Sequence, residues 1–414
     1  MMGRLRQRWR QSKGVALIVV LAGITILAAF SSEFTYRSRV GIQAANNLEK
    51  QIQAYFHARS GIEIARLVVD FQKTTLNAMA AGMADKIELW RFASMFADIF
   101  ANRTLKLMGI DLIDLKGAEG LGVDEGSFKL DVESEDARAS VSLGDSSAKG
   151  RSAFFARLYP LLAGRVDPDS FRTSTGLDPK AKELILNIMD WVDPDDQRSD
   201  IDSNGNLVAA GGAGENVDYS RYGYRARNSR MDSVEELRLV EGMTDELFCE
   251  IHDQFTVYQT DKINVNDADL RTLRALWCTN LIGDPVLACV PPANSPYALV
   301  DLGLQVLDTC RRIKRLVFMP PFANATEFPK MLNLISSIEF SGLLNVNATG
   351  LEPLAGVKSK VVRVTSRGWV GTSGWQITGV IDRGSVNWLH WHETGFDATS
   401  LMVPKKTPEQ QASE

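Results

Sequence analysis

The sequence predicts an α+β protein in which a long N-terminal helix crosses a membrane and an α/β domain follows, its sheet interrupted by a large inserted α-helical domain. Three observations predict it. An uncharged, mostly apolar run from Val15 to about Phe30 follows a purely basic flank. Segments of alternating apolar residues occur near 128–143 and again near 362–390. A mostly helical stretch from about 150 to 340 separates them. With 414 residues and 45% apolar content, the chain can form two or more compact units with proper cores.

The first 32 residues carry only positive side chains, Arg4, Arg6, Arg8, Arg10 and Lys13. A basic flank ahead of an apolar segment stays on the cytoplasmic side. The apolar run is slightly short of the roughly 20 residues a spanning helix needs. Ser31 and Ser32 can lie among the headgroups, however, and the first charge after the run is Glu33. A secretory signal cut after Ala28-Ala29 is one reading. The other places the cut between Gly14 and Val15, ahead of the apolar stretch. Beyond that stretch, Ala45, Leu48, Ile52, Tyr55 and Ile62 recur at steps of three, four and seven, which continues one amphipathic helix outward. Such a stripe serves a helix packed on its own domain or one that assembles with others.

Residues from about 70 to 118 contain no Pro and read as helical. Phe128, Leu130 and Val132 then alternate with polar residues, and an acidic turn from Glu133 to Asp136 leads into Ala139, Val141 and Leu143, a hairpin pattern. Late in the chain, Val362 and Val364 fall in one strand and Trp375 and Ile377 in the next, joined by the Gly-rich Gly368 to Gly374. Val386, Trp388 and His390 suggest a third strand. The predicted organisation is a leader (1–14), a membrane and assembly helix (15–66), the first part of the α/β domain (67–165), the inserted helical domain (166–340), the returning strands (341–393) and a flexible tail (394–414).

Charge and cysteine usage narrow the function. Loss of the five leader charges takes the formal net charge from −5 to −10. An acidic body argues against nucleic acid, whose phosphates need clustered Lys and Arg. Cys249, Cys278, Cys289 and Cys310 form no CxxC pair, so zinc and thioredoxin-type chemistry are not expected. In an oxidising compartment four cysteines allow three connectivities, with Cys278 and Cys289 a candidate pair and buried free thiols the alternative.

Asp193, Asp195, Asp196, Asp200 and Asp202 lie within ten residues and repel one another unless a cation neutralises them. Hard oxygens on a loop suit calcium, which takes six to eight such ligands. The run from Asp200 through Asn204 to Gly205 matches the opening half of an EF-hand loop, but position twelve is Gly211, so Glu215 would have to reach in, with Asp218 nearby. A solvated acidic loop is the alternative. No nucleophile or His accompanies these carboxylates, and no catalytic spacing occurs elsewhere, so no enzyme activity is expected. His390 and His392 would share a strand face, where an exposed strand end competes with metal binding as the reading.

A basic leader ending in Gly directly before an apolar helix resembles the type IV prepilin class, cut by prepilin peptidase. Most of that class carry Glu at the fifth mature position, where this chain has Val19. A carboxylate in the bilayer needs a partner, and in such filaments the resemblance implies that this is the N-terminal amine of a neighbouring subunit. A subunit without it fits a filament tip. The body adds an ordered series: Leu184 to Trp191 running into Val192-Asp193-Pro194-Asp195-Asp196, then Gly212-Ala213-Gly214-Glu215, Asp218-Tyr219, Val234 to Met243, and Ile263-Asn264-Val265-Asn266. This series closely resembles the K-type minor pseudopilin of type II secretion, over roughly residues 13 to 385. Gly214 interrupts the Gly-Ala-Glu segment and Arg198 to Ala210 is added length, two departures from the family pattern that fall in this loop.

The resemblance implies a pilin-like fold and a tip subunit bound to two other minor pseudopilins, the I-type and J-type. It also implies a place in the bacterial inner membrane, with the N-terminus cytoplasmic and the body periplasmic. A role in starting a pseudopilus that exports folded proteins across the outer membrane follows. A minor pilin of a related fimbrial system remains an alternative. Leu239 to Thr244 with Leu247 and Ile251, and Asn264 to Leu276, look like degenerate helix-hairpin-helix or SAM-like units, a fold often used on DNA. Residues 232–251 hold seven acidic side chains against Arg238 alone, so these units read as a protein-interaction scaffold rather than a DNA-uptake module.

Overall fold

The computed structural model describes residues 3–76, 88–102, 104–107, 110–114, 126–167, 169, 177–202, 207–210, 214, 219–291, 295–316 and 319–399. Helix α1 (Gly3–Phe71) is continuous. Among the described residues it provides the one stretch long and apolar enough to cross a membrane, and none of that stretch is buried. Its second half changes character. Ala54, Ala58, Ile62, Ala65 and Val69, spaced by three and four, are all buried.

What buries them is an antiparallel sheet. Helix α2 (Ala93–Asn102) is followed by a two-stranded pair, β1 (Thr104–Leu107) with β2 (Ile110–Asp114), and then by β3 (Ser127–Ser134). Far along the chain come β10 (Val361–Val370), β11 (Ser373–Asp382) and β12 (Asn387–Asp397), and the sheet order is β12-β11-β10-β3. Phe128, Leu130, Val362, Val364, Ile377 and Ile381 form its inner face against α1, joined by Ala93 and Ala97 of α2.

Between β3 and β10 the chain builds a helical body. Its elements are β4 (Ala139–Ser140), α3 (Ala148–Leu162), α4 (Pro179–Val192), β5 (Ser199–Ile201), β6 (Leu207–Ala209), α5 (Asp245–Ile251), β7 (Phe255–Thr256), β8 (Ile263–Asn264), α6 (Leu270–Thr279), α7 (Pro285–Cys289), α8 (Leu299–Leu316), α9 (Glu327–Glu339), α10 (Ala348–Leu351) and β9 (Ala355–Gly356). Its core runs from Ala139 to Ala355, wider than the expected 166–340, because α3 packs with α4 and α6 rather than with the sheet. Trp277 sits at its centre, its indole N–H donating to the Leu344 carbonyl at 2.8 Å. Cys278 and Cys289 are disulfide-bonded, while Cys249 is exposed and Cys310 half-buried, both as free thiols.

Four local expectations are corrected. Residues 128–143 do not form a hairpin: β3 pairs with β10, and β4 pairs in parallel with β7. The intervening Glu135–Ala137 makes a single 3-10 turn whose acids point inward, which redirects the chain into the helical body. The stretch 70–118 is not helical throughout, since β1 and β2 pair antiparallel, with a register shift between Leu105 and Lys106. The Gly368–Gly374 connection shrinks to Gly371-Thr372, because Gly368 lies inside β10 beneath α1. Val386 sits at a positive φ of 62° in the turn before β12, and β12 extends past residue 393 to Asp397. The rest of the expected tail, 400–414, lies outside the described residues.

Candidate functional site: N-terminal helix and acidic loop

Two regions hold the residues singled out by sequence. The first is the free half of α1. Gly14 and Val15 are exposed, Val19 is 64% exposed, and every large apolar side chain from Val15 to Phe34 faces outward. The same helix is therefore bare along one half and docked along the other. At the docked end Gly61 and Gly368 lie so close to the opposing layer that a Cβ on Gly61 would stand 2.2 Å from Ser366 Oγ.

The second region follows α4. Asp178 caps that helix by accepting from the Lys180 amide at 3.0 Å, with Pro179 at the first helical position. The apolar face of α4 carries Leu184, Ile185, Ile188, Met189 and Trp191 into the core, and Trp191 packs edge-on against Tyr219 at 5.2 Å and Tyr224 at 6.1 Å. The helix ends by delivering Asp190 and Asp193 to a buried position. Asp190 accepts from the Ser199 amide at 3.0 Å, and burial pushes its pKa up to about 6.

Asp193 is fully buried, and neither carboxylate oxygen accepts a hydrogen bond. Arg151 Nη2 lies 3.2 Å from its Oδ2 but is directed to Asp195 at 2.9 Å. Burial drives the Asp193 pKa up to about 7; Arg151 opposes the rise, and Asp195 and Asp190 add to it. Arg151 reaches this site from α3, far back in the chain, and no local pattern marks it.

The remaining acids are placed differently. Asp195 is half-exposed and also accepts from the Gln197 amide at 2.9 Å. Asp196 lies beside Gly214, where a Cβ would stand 3.0 Å from its carbonyl oxygen. Asp200 does not open an EF-hand loop: it belongs to β5, which pairs with β6, and it is ion-paired with Lys182 at 3.0 Å. Asp202 is half-buried. Asn204, Glu215 and Asp218 lie outside the described residues. Among the described residues no three His, Cys, Asp or Glu side chains converge as a ligand group; His390 and His392 are exposed on β12.

The other two sequence motifs are structural pins. Val234 to Leu239 forms a 3-10 turn rather than a full helix; Glu236 accepts from the amides of Asp232 and Ser233 at 2.7 and 3.4 Å. Gly242 takes a φ of +88° so that the chain can turn into α5, which Thr244 caps. Asn264 and Asn266 are fully buried. Asn266 donates to the carbonyls of Phe322 and Val357, each at 3.0 Å, and accepts from the Phe322 amide at 2.8 Å, tying three distant segments together.

No protein-family model matches the chain. No curated protein matches it either. Among solved structures it is similar to a chain of the GspK-GspI-GspJ complex of the type 2 secretion system from enterotoxigenic Escherichia coli, with a TM-score of 0.43 and 13% identity. The match covers 86% of this chain and 99% of that chain.

Proposed function

We propose that this chain is a K-type minor pseudopilin at the tip of a type II secretion pseudopilus. There it starts filament assembly with I-type and J-type minor pseudopilins for the export of folded proteins across the outer membrane. The observation that carries the reading is α1 itself. Its stretch from residue 15 to 30 is apolar on all sides and offers Val19 where a carboxylate would be needed to meet the amine of a subunit ahead, while its other half anchors a sheet interrupted by a helical body. A helix with this division is suited to pack in a membrane and then in a filament, with nothing above it. The test is to co-express the full chain with the candidate I-type and J-type subunits of the same cell and purify it in detergent. A stable complex of one copy each supports the reading; recovery of this chain alone, or its distribution along filaments in amounts like the major subunit, overturns it.

The acidic loop is proposed to bind calcium in this role. The fit rests on Asp193, a buried carboxylate without hydrogen-bond donors, which a hard cation would satisfy. Asp193 would be the first ligand, and Asp195 and Asp196, which follow on the same turn but do not converge with it into a ligand group here, are candidates for the rest of the shell together with Asn204, Glu215 and Asp218. The ion would supply charge neutralisation, fixing the end of α4 against the loop. Asp200, engaged by Lys182, is not part of the proposed set.

A further inference from the structure

The turn after α4 already has a cation against it, supplied by the chain itself. Arg151 reaches over from α3 and ends between two carboxylates: its Nη2 lies 2.9 Å from Asp195 Oδ2 and 3.2 Å from Asp193 Oδ2. Its Nε donates to the Ser146 carbonyl and its Nη1 to Ser199 Oγ, each at 3.3 Å. Held in this way, the Arg151 side chain is 19% exposed.

This placement runs against local preference. Arg151 stands at the end of the first turn of α3, beside the positive pole of the helix dipole, where a cation is disfavoured. What keeps it there is the negative charge opposite. Asp193 and Asp195 face it directly, and Asp190 adds a third carboxylate, which feels both Arg198 and Arg151. Lys182 is engaged with Asp200 at 3.0 Å. Three acids therefore stand against two arginines at this corner, before Asp196 is counted.

Arg151 offsets the charge without satisfying the oxygens. Neither Asp193 oxygen accepts a hydrogen bond, and Asn228 Oδ1 is also buried without a donor. Asn228 is tied to the chain on both sides of Asp193: its amide donates to the Trp191 carbonyl at 3.0 Å, and its Nδ2 donates to the Asp195 carbonyl. That pairing makes Oδ1 the end left over. A guanidinium presents its N–H groups in one plane, whereas calcium accepts six to eight oxygens in a flexible arrangement.

We propose that Arg151 is the counter-ion of this loop in the absence of calcium, and that it must leave Asp193 before calcium binds there, so that Arg151 sets the affinity of the site. The inference rests on the calcium reading of the loop. A divalent ion on the Asp193 carboxylate would stand beside a guanidinium nitrogen 3.2 Å from the same group, and like charges so close repel strongly. Departure of Arg151 would also link ion binding to the N-terminal turn of α3.

The experiment measures calcium binding to the full-length protein in detergent by calorimetry, for the wild type and for Arg151→Gln. The variant should bind roughly ten- to a hundredfold more tightly, as when a competing arrangement leaves only about 1–10% of molecules open to the ion. It should also melt below the wild type in chelator. A residue that merely supports the loop gives the opposite sign, weaker binding. Binding by neither protein removes the calcium reading and this inference with it; wild-type binding that Arg151→Gln leaves unchanged or weakens overturns the inference alone. Should the variant not fold, phenylglyoxal labelling of the wild type decides, with Arg312, 70% exposed, as the reference. Arg151 should react slowly in chelator and several-fold faster in saturating calcium, and an unchanged rate overturns the proposal.

Discussion

Gly368 of β10 lies directly beneath Ala58 of α1: a Cβ on Gly368 would stand 2.3 Å from the Ala58 amide nitrogen and 2.3 Å from the Ala54 carbonyl oxygen. Both contacts are to backbone, which cannot rotate away. Helix α1 is therefore seated by the absence of a side chain. Gly368→Ala should force α1 off the sheet and cost about 2–4 kcal/mol, as overpacking against backbone does. Gly371→Ala, in the adjacent turn at a φ of +55° with only Lys50 nearby, should cost about 1–2 kcal/mol. Denaturant midpoints of the two variants measure the difference, and equal values would mean that α1 is not held this closely.

The two chain crossings between sheet and helical body meet at Asp136. This carboxylate is 4% exposed and accepts from the amides of Lys360 and Val361, each at 2.8 Å. Burial nonetheless pushes its pKa up to about 6 from an ordinary 3.8. The folded state then binds this proton more tightly than the unfolded chain, so this group's contribution to stability is greatest below pH 4 and falls as pH rises through 6. Asp136→Asn keeps the size and an acceptor without the charge. The variant should lack this decline, which for two pKa units amounts to roughly 2–3 kcal/mol. Melting curves at pH 4 and pH 7.5 check it; parallel pH profiles for both proteins would count against it.

Processing is expected between Gly14 and Val15, since only that cut leaves the apolar half of α1 on the product. Gly14→Leu should block it, leaving the basic leader attached. N-terminal sequencing of the mature protein reads this directly, and a start after Ala29 would contradict both the cut and the pseudopilin reading.

Much of the frame was legible because its signals are local. The apolar run after Arg4 to Lys13, the stripe through Ile62, and the alternation in β3, β10 and β11 each depend on neighbours in sequence. The acidic turn at Glu135 and Asp136 was misread for the opposite reason. Adjacent acids look like a solvated turn, yet Glu135 is fully buried, ion-paired to Arg363 and Arg138 and accepting from Thr256 at 2.6 Å. Two of these partners lie more than a hundred residues away, so no window of sequence contains the interaction. Asp193 shows the same limit. Its place in an acidic cluster was plain, but its burial and its lack of donors depend on how α3 brings Arg151 alongside.

The last prediction concerns that carboxylate. If calcium occupies the loop, it binds the folded state and not the unfolded one, and at a hundredfold excess over Kd it adds about 2.7 kcal/mol of stability. Melting of the purified protein should rise with calcium and fall with chelator, while magnesium, which demands a tighter octahedral shell, should substitute poorly. Asp193→Asn removes the charge that a cation would satisfy and should abolish most of the calcium response. It should also raise the melting temperature in chelator above pH 7, where burial disfavours the ionised carboxyl despite Arg151 at 3.2 Å. Asp200→Asn should lose only its exposed pair with Lys182, worth about 0–1 kcal/mol, and keep the full calcium response. The paired signs separate a metal site from a merely solvated loop: in the latter, neither calcium nor chelator moves the melt, and calorimetry at millimolar calcium detects no binding.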